Sequence, residues 1–345
     1  MASSLTFSRS TFSKLSPHPF LLANLQPATP DVPSARTNGR APDQARPPNI
    51  NTSSLSHAHG SAVVRTGDTT VICGVRGEIL PVTSIPNYRP KSKLELSTTQ
   101  DVRREGAKEL KDYDLLVPNV ELATGSAPEF LPGVPPTTLA QTLSTKVFSL
   151  LHTSRLVDAQ DLRIWYKQPS LQEDDRMDED GNEDEDADDE QSELKAYWTL
   201  YIDVLFISFD GNPFDAAWAA IVAALRDTKL PRAWWDADRE IVICSRSEEM
   251  PLNISGLPVA CSAAIFTEKE AEKASQGKHW VLVDPDRLEE SLCDEVITMV
   301  VDKSGGQTRI RNLSKSGGTI IGPQLLRDFT NLAGARWEEF RKAIQ

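Results

Sequence analysis

The chain has 345 residues, of which 39% are apolar or aromatic and 25% charged. That is enough apolar material for a sizeable core, and it excludes wholesale disorder. No uninterrupted apolar stretch of about 18 residues occurs, so no segment reads as a membrane-spanning helix. The net charge of −13 is local, because residues 173–190 hold thirteen acids and one arginine while the remainder sums to −1.

Residues 1–54 read as an extended N-terminal arm, with eight of the 23 prolines in the first 50 positions and one short helical turn around Phe20–Leu25. Its serine-rich opening, with Arg9 and Lys14 and no acid before Asp31, taken alone suits an organellar transit peptide. From Ser61 the pattern becomes strand, turn, strand, with Gly67 at the turn. Residues 91–113 are charged and unpatterned, an inserted loop or a marginal surface helix. Over 137–154 the positions Leu139, Leu143, Val147, Leu150 and Leu151 share one face, which predicts an amphipathic helix behind a threonine cap. Two β-branched and aromatic runs, 161–166 and 196–208, flank the acidic stretch. They predict strands, with residues 170–194 as an acidic disordered loop between them.

An alanine-rich helix is predicted to follow Asp210, with Asn212 as cap and Pro213 at the first helical position. Strands are expected at 240–245, 257–266, 279–284, 296–302 and 307–313. A last helix over 323–343 would turn Leu325, Leu326, Phe329, Leu332, Ala333, Trp337 and Phe340 inward. This order predicts an α+β or mixed α/β fold with helices packed on mixed sheets. The folded domain would span 55–345, in two loosely similar halves near 55–165 and 195–345.

Few residues point to chemistry. There is no glycine-rich phosphate loop, no GxSxG elbow and no CxxC pair. Cys73, Cys244, Cys261 and Cys293 sit in or beside apolar runs and read as buried free thiols. His57 and His59 form an HxH pair that would face one side of a strand, but no third ligand lies near in sequence, so neither a metal nor a cofactor is expected. The two KSGG stretches, 303–306 and 315–318, read as hairpin turns. Scattered cations, Arg65 and Arg76 among them, are either a solvated face or contacts to nucleic-acid phosphates.

Five ordered blocks nevertheless carry a resemblance: GSAVVRTGDTTVICGVRGEI at 60–79, VPNVELATGSAPEFLPGVPP at 117–136, SRLVDAQDLRIWY at 154–166, the stretch 203–231, and VLVDPDRLEESLCDEVITMVVD at 281–302. Together they resemble the RNase PH family, and more narrowly the non-catalytic ring subunits of the eukaryotic RNA exosome, of fungal type. Arg36-Thr-Asn-Gly-Arg40 is similar to an RPDGR element that precedes the first strand in many members. The resemblance implies an RNase PH-like fold with two pseudo-symmetric βαβ-type halves. Active members are phosphorolytic 3′-to-5′ exoribonucleases, which hold phosphate with a Gly-Thr/Ser-Arg element before the central helix. Here Gly211-Asn212-Pro213-Phe214 stands in that place, so the arginine is a phenylalanine and proline removes one N–H donor. Arg287-Leu288-Glu289-Glu290 replaces the family's paired acids, and Asp294 would be the remnant acid.

The resemblance therefore implies no catalytic residues and a structural role in a hetero-oligomeric ring. The partners would be other RNase PH-like subunits, cap proteins and RNA passing through the channel, with Arg65, Arg76 and Lys146 as RNA contacts. It also favours the nucleus, nucleolus and cytoplasm over an organelle. An active phosphorolytic enzyme and a free-standing RNA-binding module are the alternatives.

Overall fold

The computed structural model describes residues 8–27, 32–86, 88, 99–167, 192–268, 279–318 and 322–344. The acidic run 173–190 and most of the insert 170–194 lie outside them.

The spine is a pair of long antiparallel strands, β3 (Thr69–Pro81) and β6 (Ser192–Ser208). Strand β2 (Gly60–Thr66) continues the sheet beyond β3, and β1 (Pro48–Thr52) forms its edge. On the other side of β6 two strands share its length: β5 (Arg163–Lys167) pairs antiparallel with its first part and β4 (Leu116–Leu122) parallel with the rest. This first sheet is therefore mixed. The second, in order β10 (His279–Val283), β9 (Val259–Thr267), β11 (Glu295–Asp302) and β12 (Arg309–Ser316), is antiparallel throughout. A separate hairpin joins β7 (Lys229–Asp236) to β8 (Ile241–Pro251).

Seven α-helices lie among the described residues: α1 (Arg9–Leu15), α2 (Pro17–Leu25), α3 (Thr99–Asp112), α4 (Thr138–Ser154), α5 (Pro213–Asp227), α6 (Arg287–Leu292) and α7 (Pro323–Ile344). Helix α5 lies between the two sheets and is buried on nearly every side. Its alanines make that possible, since small side chains let backbone approach backbone. The approach is close at Gly60 of β2, where an added Cβ would stand 2.6 Å from the carbonyl oxygen of Ala224. The Trp218 indole donates to the Pro258 carbonyl at 3.0 Å and pins α5 to the second sheet. Helix α7 packs on β9 and β11 of that sheet, and Trp337 donates to the Leu257 carbonyl at 2.7 Å.

Several expectations need correction. The arm is not merely extended: α1 and α2 are helices, and Leu21 and Leu25 pack with Ala264, Phe266 and Leu282 of the second sheet. A boundary at 54 cuts off β1, which belongs to the first sheet because Ile50 packs inward opposite Val64. Division into halves at 165 and 195 also fails, since β6 pairs with β3 and the insert's last residues, 192–194, already lie in that strand. Within α4 Leu143, Val147, Leu150 and Leu151 are buried as expected, but Ala140 is buried in place of Leu139, which is exposed. In α7 Phe329, Ala333, Trp337 and Phe340 are buried as expected, whereas Leu325, Leu326 and Leu332 are only half-buried. Strand β7 and helix α6 were not anticipated. Over 91–113 the described part is α3, whose end is anchored by buried Leu110 and by Glu109, paired with Arg163 at 2.7 Å.

Candidate functional site

The place the resemblance singled out is the start of α5. Gly211 has φ +78° and lies flat against the 285–287 backbone, where a Cβ would come within 2.5 Å of the carbonyl carbon of Asp286. The starts of α5 and α6 are thereby pressed together. Asn212 holds the N-cap position but in left-handed backbone, φ +49°, and its side chain does not cap. Its amide donates instead to Asp215 at 2.9 Å and Asp284 at 2.8 Å. The Asn212 backbone N–H donates to Glu290 at 2.8 Å. Pro213 offers no N–H, and Phe214 is buried. The positive end of the helix thus already holds a carboxylate of the chain itself.

Around this point the arm delivers three arginines. The turn Arg36-Thr-Asn-Gly-Arg40 closes with the Arg36 N–H on the Arg40 carbonyl at 2.8 Å. Both side chains are thereby aimed at residues 283–289. Arg36 is fully buried, donates to the carbonyls of Val283 and Pro42, and pairs with Glu289 at 3.3 Å. Burial depresses its guanidinium to a pKa of about 10, despite the neighbouring Glu289. Arg40 lies 3.5 Å from the Asp284 carboxylate. Arg46 grips Asp284 through Nε and a terminal nitrogen, both at 2.8 Å, while its backbone N–H donates to the same carboxylate at 2.8 Å. Burial alone would raise the Asp284 pKa, but Arg46 and the Asn212 amide outweigh it and hold the carboxyl below its usual range.

The remaining acids are less favoured as anions. Burial raises the pKa of Asp215, although Asn212 and Ser262 hydrogen-bond it. It does the same to Asp210 and Glu289 against their arginine partners. Glu290 is pushed up to about 7 by burial, which the Asn212 N–H and Arg46 only partly offset. Three arginines therefore face six carboxyls: Asp210, Asp215, Asp284, Asp286, Glu289 and Glu290. Such a cluster ties the arm, α5 and the second sheet together. Arg36 Nε and Arg40 Nη2 lack hydrogen-bond partners among the described residues, but both are buried, and the excess of carboxyls around them opposes a phosphate.

The residues expected to contact RNA do not join this cluster, or one another. Arg65 of β2 and Arg76 of β3 are exposed on the sheet face that points away from α5. Arg65 lies 3.9 Å from Asp68, and Arg76 pairs with Glu78 at 2.9 Å while covering the ring of Tyr201. Lys146 sits on α4, behind the opposite face, with no acid partner among the described residues. Asp294 is exposed and makes none of the cluster's hydrogen bonds. The acids at the α5 start are instead Glu290, Asp284 and Asp215. In the sequence Glu290 stands within the run that replaces the family's acids and Arg36 and Arg40 end the RTNGR turn, but nothing there points to Asp215, Asp284 or Arg46.

No group of histidines, cysteines and acids among the described residues is arranged to hold a metal. His57 and His59 lie in the turn before β2, not on a strand, and the His59 ring nitrogen accepts the Gly77 N–H at 3.0 Å. Cys73, Cys261 and Cys293 are buried free thiols, while Cys244 is half-buried. Lys303-Ser304-Gly305-Gly306 is the turn between β11 and β12.

Residues 44–231 match domain 1 of the 3′ exoribonuclease family, RNase PH, and residues 256–333 match its domain 2. The chain belongs to this family. Its domain 1 takes in β1, β6 and α5, the same grouping as the first sheet and its helix. Among RNase PH relatives, exosome complex component rrp43 of Schizosaccharomyces pombe is 31% identical over 96% of this chain and 97% of its own length. Exosome complex component Rrp42 of Methanopyrus kandleri is 28% identical over 90% and 91%. A chain of the Archaeoglobus fulgidus exosome, solved with RNA bound to the active site, superposes with TM-score 0.61 at 23% identity, over 95% of this chain and 97% of that one. An archaeal exosome core gives 0.58 at 23%, over 94% and 96%. At that identity the structural likeness speaks for the RNase PH fold alone.

Proposed function

We propose that the protein is a non-catalytic, structural subunit of the RNA exosome core ring. The observation that carries this reading is the end-to-end likeness to S. pombe rrp43. In the ring it assembles with other RNase PH-like subunits and cap proteins as a hetero-oligomer, and RNA is threaded through the channel. It thereby supports 3′-to-5′ RNA processing and turnover, including rRNA maturation, in the nucleus, nucleolus and cytoplasm.

The α5 start supports the non-catalytic part. Phosphorolysis needs preorganised donors around inorganic phosphate, and losing one oxyanion donor elsewhere costs about 3 kcal/mol of transition-state stabilisation. Here a proline removes a donor, a buried phenylalanine stands where the arginine belongs, and Glu290 takes the Asn212 N–H. A carboxyl with its pKa near neutrality is the kind of group general acid–base chemistry uses. Glu290, however, is engaged with backbone beside five other acids.

Native mass spectrometry of the tagged protein, purified from the cells that make it, tests the reading. A complex of about nine different subunits, many times heavier than the 38.1 kDa chain, is expected. Its loss of RNA 3′ ends should not rise with inorganic phosphate. A lone monomer or a homo-hexamer would overturn the assignment.

A further inference from the structure

The first sheet has two unlike faces. Inward, Val64, Val71, Cys73, Val75, Ile202, Val204 and Phe206 are essentially inaccessible beneath α4 and α5. Outward, the antiparallel strands β2, β3 and β6 should show polar residues where they meet water. Arg65, Thr70, Arg76 and Asp203 do, but an apolar row lies among them. Val63, Ile72 and Leu205 stand side by side across β2, β3 and β6, and Ile207 follows on β6. Leu205 is 39% exposed and Ile207 48%, while Val63 and Ile72 are half-buried. Leu55, in the turn between β1 and β2, extends the row over Gly74 and is 40% exposed. At the sheet's other end Tyr113, just past α3, packs on Tyr197 with ring centroids 5.6 Å apart.

The rim decides what kind of molecule fits. Its cations are already neutralised, Arg65 by Asp68 and Arg76 by Glu78. Asp203, bonded to Asn119 at 3.2 Å, and exposed Glu121 add negative charge that has no cation partner among the described residues. A polyanion would be repelled, and the Tyr201 ring lies under Arg76 instead of being free to stack on a base. The surface is an open sheet face, unlike the concave pockets that take small molecules. A contiguous apolar patch with a self-paired polar rim has the anatomy of a protein–protein interface.

We propose that this outer face, centred on Ile72, Leu205 and Ile207, buries against a neighbouring RNase PH-like subunit, and that Arg65 and Arg76 belong to its rim and not to an RNA path. The proposal rests on the ring reading above. A closed ring joined head to tail gives each subunit two different contact surfaces, and this face is one of them.

The test is the double substitution Leu205→Glu and Ile207→Glu in the tagged full chain, followed by native mass spectrometry of what co-purifies. Both side chains point outward, so the core is untouched. Ring incorporation should fall at least tenfold against wild type, and undiminished incorporation would overturn the proposal. A photo-crosslinking residue at position 207 in the otherwise native complex gives a second readout that does not depend on the variant's folding. An adduct with an RNase PH-like subunit is expected; an adduct with RNA or a cap protein, or none, would overturn it. If the wild-type chain enters no complex, the ring reading itself fails, which separates the two outcomes.

Discussion

Two helix starts meet back to back in this protein, and they are held in opposite ways. Helix α6 is closed by its own sequence: Asp286 accepts the Glu289 N–H at 2.9 Å, and Glu289 accepts the Asp286 N–H at 3.0 Å, a complete capping box. Helix α5 has no side-chain cap of its own, and its N-cap residue is in left-handed backbone. Its first N–H goes to Glu290, 78 positions away, and its cap side chain to Asp284, 72 positions away. The local start has its cap within its own first turn. The remote one exists only when arm, central helix and second sheet are assembled, so it reports on the whole fold.

The sharpest way to break that contrast is Asp284→Ala. It removes the carboxylate shared by Arg46 and Asn212 and leaves a buried guanidinium without its main partner. Losing one member of a buried pair costs about 3–5 kcal/mol, which urea unfolding would read as a shifted midpoint. Replacing Arg46 by Met in the same chain should recover a large part of the loss, because the uncompensated charge is then gone. If the single and double variants were equally unstable, the ion pair would not be what holds the arm.

The same contrast explains what could be read in advance. Strands β2, β3 and β6 and helices α4, α5 and α7 announce themselves by period, and the five family blocks fix their order. Gly211-Asn212-Pro213-Phe214 reads as a departure only from the pattern that the resemblance implies. What fills the space could not be read in advance, because Glu290 and Asp284 meet Asn212 only through tertiary packing. Arg36, Arg40 and Arg46 sit in a proline-rich segment whose composition reads as a loose arm, and their importance comes from where the chain returns. Strand β1 was hidden for a similar reason. PNINT has one inward apolar residue, Ile50, and its place in the sheet is set by pairing with β2.

A smaller effect follows from Glu290. Its folded pKa of about 7 lies above the usual 4.5, so between those values the folded protein keeps a proton that the unfolded chain has lost. Stability from this group is therefore greatest below about pH 4.5, falls as pH rises to about 7, and is level beyond. Glu290→Gln removes that dependence and keeps an oxygen for the Asn212 N–H. The stability difference between variant and wild type should move by about 1–2 kcal/mol in the variant's favour between pH 5 and 8, discounting for partial solvent access. A constant difference across that range would mean that Glu290 ionises as it does in water.

The smallest effect should come from the helix that is satisfied locally. Asp286→Ala removes the α6 cap and the hydrogen bond from the Asn38 amide at 3.1 Å, and should cost about 1 kcal/mol. The distribution of the loss matters more than its size. Hydrogen exchange should quicken at Leu288, Glu289 and Glu290, whose N–H groups belong to the first turn of α6. The Asn212 N–H, held by the Glu290 side chain, should keep its protection if the two starts are energetically separate. Should Asn212 lose protection together with α6, the pressed contact at Gly211 would be transmitting the cap from one helix to the other. The two starts would then be a single cooperative unit, and the distinction between a local and a remote cap would hold for geometry but not for energy.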